Sequence, residues 1–158
     1  MRIFAKIFYG FITVCFILIF IFITLEELFA PKYYTTVVSS KLLTQKEKHS
    51  IKKLISIKSN EQFMFFYGKG YSIEDGGIVL TNLRVVEYYP NYEKKKIKTI
   101  KINNIKNIAL IDKKNFFQES VIKITRKDNT KLSLTLLKKK SGANKLYQTL
   151  KKIKKNKL

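Results

Sequence analysis

Ile7 to Leu25 reads IFYGFITVCFILIFIFITL, nineteen residues without a formal charge, interrupted by Gly10, Thr13 and Thr24. At about 1.5 Å rise per residue, such a helix covers roughly 28 Å, close to the hydrocarbon thickness of a bilayer. It has no polar face, so it does not read as a core helix of a soluble domain. It also exceeds the roughly 7–15 residues of a secretory apolar region, and a cut after Ala30 would leave Leu28 where a small residue is needed. The expectation is therefore an uncleaved membrane anchor within residues 1–30, with a cleaved signal peptide as the alternative. Phe29, Tyr33 and Tyr34 would then sit at headgroup level. Arg2 and Lys6 precede the span and Glu26 and Glu27 follow it, which favours an inside N-terminus and an outside domain, although the remaining chain is densely basic.

Beyond Pro31 the pattern changes twice. After the connector PKYYTTVVSS, Lys41 to Lys58 places Ile51, Leu54 and Ile55 on one side and lysines elsewhere, the spacing of an amphipathic helix. That helix would lie either on a membrane surface or against the domain, and the spacing alone leaves both open. From Gln62 the period becomes strand-like. Phe63–Tyr67 is followed by a turn at Asp75-Gly76-Gly77, placed between strands Tyr71–Glu74 and Ile78–Leu80. Val85–Tyr89 comes next, then a turn at Pro90-Asn91. Ile97, Ile100, Ile102, Ile105 and Ile108 follow, with a bend at Asn103-Asn104. Alternation is cleanest in the last pair, where Ile122 and Ile124 share a face with Ser120 and Arg126. After a turn at Asp128-Asn129, Leu132, Leu134 and Leu136 share another. Ser141 is placed to cap a closing helix whose Ala143, Leu146, Tyr147, Leu150 and Ile153 form one apolar stripe.

Composition narrows the function classes. The 158 residues suffice for one domain and an appendage, and 32 Lys and Arg oppose 11 Asp and Glu, a net charge of +21. The four charges of residues 1–30 cancel, so the excess falls on residues 31–158 and would attract anionic lipid, envelope polymers or nucleic acid. Only Arg2, Arg84 and Arg126 are arginine. Reading of base edges favours arginine, so nucleic acid is not the favoured partner, despite Tyr88, Tyr89, Tyr92, Phe116 and Phe117 among the basic runs. The Lys, Ile, Asn, Phe and Tyr enrichment also matches an A/T-rich coding sequence. One cysteine (Cys15) and one histidine (His49) leave no intrachain disulfide and no Cys/His metal site. No nucleophile elbow, zinc helix or phosphate loop occurs, so no catalytic residue, metal or cofactor is expected.

The stretch Gly77 to Tyr89, GIVLTNLRVVEYY, resembles a segment of bacterial pleckstrin-homology-like domains. There a strand ends in Leu-Thr-Asn or Leu-Thr-Asp and an Arg opens the next. Here these are Leu80, Thr81, Asn82 and Arg84. The Ile-rich pair (Ile100, Ile102, Ile105, Ile108), the hairpin and the helix continue the likeness over about residues 60 to 155. The resemblance implies a binding or scaffolding module that docks lipids, peptides or proteins without catalysis. Eukaryotic relatives bind phosphoinositides with basic residues around the first strand–strand loop. Here that loop has Lys69 alone beside Glu74 and Asp75, so that site is not carried over.

The expected chain is thus α+β: an N-terminal transmembrane helix, then about seven antiparallel strands in a PH-like bent sandwich or barrel capped by a C-terminal helix. The expected division is 1–30 anchor, 31–58 connector and basic helix, 59–158 domain. The expected role is a single-pass, non-catalytic binding module near the bilayer. A surface-exposed basic domain for anionic envelope polymers or a partner protein is the alternative. Candidate lipid contacts are Lys94, Lys95, Lys96, Lys98, Lys138, Lys139 and Lys140, with further runs at Lys113–Lys114 and Lys151–Lys155. Thr81 and Asn82 suit a turn and Arg84 a cross-bond, so these three are expected to hold a strand junction.

Overall fold

The computed structural model describes residues 2–30, 34, 36–89, 96–112, 119–137 and 142–156. The chain divides into two units, Met1–Pro31 and Lys32–Leu158.

The first unit is a single helix, α1 (Arg2–Phe29). From Phe16 to Ile23 every side chain is a large hydrophobe and every one is exposed; at 100° per residue these cover the full circumference. The Thr24 hydroxyl donates to the carbonyls of Phe20 and Ile21, so even this polar group is satisfied within the helix. Among the described residues, whose side chains in α1 are those of 10–25 and Phe29, no helix is long and apolar enough to cross a membrane. The expected span begins at Ile7, ahead of those side chains.

The second unit is built from two antiparallel sheets. One has the order β1 (Val37–Ser39), β2 (Phe63–Gly68), β3 (Gly77–Thr81), β4 (Arg84–Tyr89) and β5 (Lys96–Lys101). The other is β6 (Ile105–Asp112), β7 (Ser120–Arg126) and β8 (Lys131–Leu136). Among the described residues, eight strands therefore form rather than about seven. The additional one is β1, drawn from the connector: Val37 pairs with Tyr67 and Val38 with Phe66. The expected strand at Tyr71–Glu74 is instead a 3-10 turn, Ile73–Asp75. Ser72 accepts from the Glu74 amide, and the Asp75 carboxylate accepts from the Ser72 amide at 2.8 Å, a reciprocal cap that competes with strand pairing.

Alternation puts two faces of the first sheet into two cores. Tyr67, Ile78, Leu80, Val85 and Ile100 face the second sheet, where Ile122, Ile124, Leu132, Leu134 and Leu136 meet them as the spacing predicts. Phe66, Val79, Val86 and Tyr88 face the other way, onto α2 (Gln45–Ile55). This settles the choice left open for α2: Ile51 and Ile55 are buried against the domain. A capping box of Thr44 and Glu47 starts this helix, and Ser56 ends it in the left-handed region at φ 50°. The closing helix α3 (Gly142–Lys155) buries Ala143, Leu146 and Leu150, and packs on β1, β6 and β7. Its expected cap Ser141 lies outside the described residues. Tyr67 ties the layers together: its hydroxyl accepts from the Leu137 amide at 2.9 Å, and burial pushes its pKa up.

Gly76 is required by its position. Its φ is +114°, and a Cβ there would lie 2.7 Å from the carbonyl oxygen of Tyr88, which is backbone and cannot swing aside. Gly76→Ala is expected to lower unfolding free energy by about 2–4 kcal/mol, adding backbone strain to overpacking. Denaturant titration of the purified full chain in detergent checks it, and a change under about 0.5 kcal/mol, as at an indifferent surface site, would refute it.

Candidate functional site

Thr81, Asn82 and Arg84 surround the short turn between β3 and β4, and each is bonded to the segment joining α2 to β2 (residues 56–62). The Arg84 guanidinium grips Glu61, with Nε 2.7 Å from Oε1 and Nη2 3.0 Å from Oε2. The same Nη2 donates to the carbonyls of Ile55 and Ser56 at 3.1 and 3.0 Å, so it satisfies the open end of α2. Thr81 donates from its hydroxyl to Glu61 at 2.7 Å and accepts from the Arg84 amide at 3.0 Å. Asn82 and Gln62 exchange two bonds: the Gln62 amide donates to Asn82 Oδ1, and the Asn82 amide donates to the Gln62 carbonyl. Burial alone would raise the Glu61 pKa. The bonds from Arg84, Thr81 and the Lys58 amide, with the Arg84 charge, outweigh it and hold the carboxyl below its usual range.

This latch forms the floor of an open cavity of about 500 Å³ lined by Lys58, Asn60, Glu61, Leu83, Arg84, Thr99, Lys101 and Asn103. Its fixed charges are three cations against one carboxylate that Arg84 already neutralises. Thr99 also lines a second cavity, of about 290 Å³, between β5 and β8. Here Lys98, Arg126 and Lys131 supply the charge.

The lysines singled out by the charge runs fare differently. Lys96 is exposed at the start of β5, whereas Lys98 turns toward Glu87, 3.5 Å from Oε2. Lys94, Lys95, Lys138, Lys139 and Lys140 lie outside the described residues, as do Lys113, Lys114, Phe116 and Phe117. Lys69, the sole basic residue of the β2–β3 loop, points inward. Its ammonium lies 2.6 Å from Glu87 Oε1, bonds the Tyr89 hydroxyl and sits over the Tyr89 ring. Among the described residues, no three His, Cys, Asp or Glu converge as a metal site would require.

Sequence reasoning overlooked Glu61, Glu87 and Arg126. A signal existed for two of them. Glu87 interrupts the apolar run VVEYY, and Arg126 continues the buried face of Ile122 and Ile124. A charge on a buried face demands a partner. Glu61 carries no such mark, because its partner is fixed only by the fold.

A five-stranded sheet set against a three-stranded one and closed by a C-terminal helix is a pleckstrin-homology-like fold. The fold is similar to that of a DUF1696 family protein with a pleckstrin-homology domain from Shewanella loihica PV-4, at TM-score 0.56 and 15% identity, covering 75% of this chain and 97% of that one. A pleckstrin homology domain from Shewanella amazonensis SB2B gives TM-score 0.52 and 14% identity, covering 72% of this chain and 88% of that one. At these identities the likeness establishes the fold alone. No family model and no curated protein matches the sequence.

Proposed function

We propose that the chain is a single-pass membrane protein whose PH-like domain acts as a non-catalytic binding module for anionic partners beside the bilayer. The observation that carries this reading is the circumference of α1. Phe16–Ile23 present large apolar side chains in every direction, a surface that water disfavours and lipid accepts. The charge supports the second half: +21 overall, all of it beyond residue 30, and carried mainly by lysine, a compact charge suited to headgroup attraction more than to shaped recognition. Arg2 and Lys6 before the span and Glu26 and Glu27 after it favour an inside N-terminus and an outside domain. Among the described residues, the buried carboxylates Glu61 and Glu87 are taken up by Arg84 and Lys69, and His49 is exposed, which supports a non-catalytic reading.

Two measurements test it. Washing membranes with alkaline carbonate is expected to leave the full chain in the pellet; release into the supernatant would end the anchor reading. Held in neutral nanodiscs, the full chain is expected to recruit anionic vesicles at low salt, each surface lysine adding about 1 kcal/mol. It should release them near 1 M salt, where the Debye length falls to about 3 Å. Neutral vesicles should not be recruited. Absence of recruitment at low salt would remove lipid docking and leave envelope polymers or a protein partner.

A further inference from the structure

We infer that the opening between β5 and β8 is a discrete oxyanion site, shaped for a phosphate group and organised by Arg126. This deepens the binding-module reading by replacing diffuse attraction with one defined pocket. Arg126 ends the inward face of β7, beyond Ile122 and Ile124, and its side chain crosses the gap between the sheets. Nη2 donates to the Thr99 carbonyl on β5 at 3.2 Å, which fixes the plane of the guanidinium. Nε is buried and has no hydrogen-bond partner among the described residues. Buried guanidinium N–H groups are normally satisfied, and an orphaned one beside a cavity is a donor awaiting an acceptor.

The surroundings specify that acceptor. The cavity of about 290 Å³ places Lys98 and Lys131 with Arg126, and Thr130 and Leu132 complete the wall. It is smaller than the ordinary range for drug-sized ligands and ample for a phosphate group. Two carboxylates lie near. Asp128 is held by the Thr130 amide and hydroxyl at 2.9 and 2.6 Å, within electrostatic reach of Arg126. Glu87 bonds Lys69 and Tyr89 through Oε1, and its Oε2 lies 3.5 Å from the Lys98 ammonium, so Lys98 serves both Glu87 and the opening. A tetrahedral oxyanion accepts from several directions at once, matching one planar guanidinium edge and two ammonium groups. The Arg84 cavity lacks this property, since Glu61 already occupies its guanidinium.

The test uses the full chain in neutral nanodiscs with inorganic phosphate as the probe. The Arg126 Nε–H resonance is expected to shift saturably as phosphate is added, with the Arg84 Nε–H resonance unmoved and reporting an intact fold. Arg126→Lys should weaken binding about tenfold or more, the scale of one lost charge-assisted bond. Lys131→Gln, at an exposed position, should weaken it severalfold without threatening folding. Lys152→Gln on α3 should leave it unchanged. Discs carrying phosphatidic acid separate two sources of the phosphate. If they shift the same resonance without added phosphate, a lipid headgroup is the source; if they do not, a soluble phosphate compound is. A resonance indifferent to phosphate, or equal losses in Lys131→Gln and Lys152→Gln, would overturn the site. Neutral discs need no anionic bilayer, so failed vesicle recruitment would not by itself remove this result.

Discussion

Replacing Arg84 with methionine is expected to destabilise the domain by about 3–5 kcal/mol, the scale for breaking a buried ion pair from one side. Glu61 would remain with its side chain 1% exposed and its carboxylate held only by the Thr81 hydroxyl and the Lys58 amide. The carbonyls of Ile55 and Ser56 would lose their donor, freeing the end of α2. Arg84→Lys should recover little of this, because an ammonium cannot serve both carboxylate oxygens and two carbonyls from one plane. Denaturant titration of the full chain gives the magnitude, and hydrogen exchange locates it: α2 amides should lose protection before those of β7. The same network sets an acid limb. The Glu61 carboxyl is lowered on folding, so its contribution is complete above the unfolded carboxylate value of about 4.3 and fades as pH falls through the lower folded value. Arg84→Met should flatten that limb. A loss below about 1 kcal/mol with an unchanged acid limb would mean the latch is ornamental.

What could be read beforehand follows from how local each signal is. The β7–β8 hairpin and α3 were legible because their periods of two and 3.6 run uninterrupted, and Ile122, Ile124, Leu134, Leu136 and Leu150 are buried as that pattern requires. The strand β1 was not, since three residues carry no period and Val37 and Val38 are explained only by pairing with Tyr67 and Phe66. Tyr71–Glu74 read as a strand from the turn expected at Asp75-Gly76-Gly77, but Ser72 and Asp75 close a 3-10 turn whose side-chain bonds replace a ladder, and the Tyr88 hydroxyl fastens it by donating to the Ile73 carbonyl at 2.9 Å. The motif Thr81-Asn82-Leu83-Arg84 announced a junction but not its partner. Glu61 lies more than twenty positions away from Arg84, and only the docking of α2 beside β4 brings the two into contact. Lysine density does not separate Lys96, which faces solvent, from Lys69, which is turned inward by a carboxylate.

Lys69→Met is expected to cost more stability than Glu87→Gln, although the two remove opposite ends of one bond. Glu87 is 2% exposed, in the middle of β4, with Ile78 on one side of its register and Lys98 on the other. Without Lys69 its carboxylate keeps the Tyr89 hydroxyl at 2.8 Å and Lys98 at 3.5 Å, which leaves a buried charge incompletely compensated. The expected loss falls near the lower end of about 3–5 kcal/mol. Without the Glu87 charge, Lys69 has a different recourse: its side chain is already 17% exposed, and its flexible stem can carry the ammonium outward. Glu87→Gln should therefore cost about 1–2 kcal/mol, the scale of a replaced charge-assisted bond. The double variant Lys69→Met/Glu87→Gln should be more stable than Lys69→Met alone, since no buried charge remains, giving a coupling of about 1–3 kcal/mol. Denaturant midpoints of the four proteins decide it. Additive losses, or a greater loss from Glu87→Gln, would show that Lys69 does not neutralise Glu87 and would return the β2–β3 loop lysine to the set of cations available for external anions.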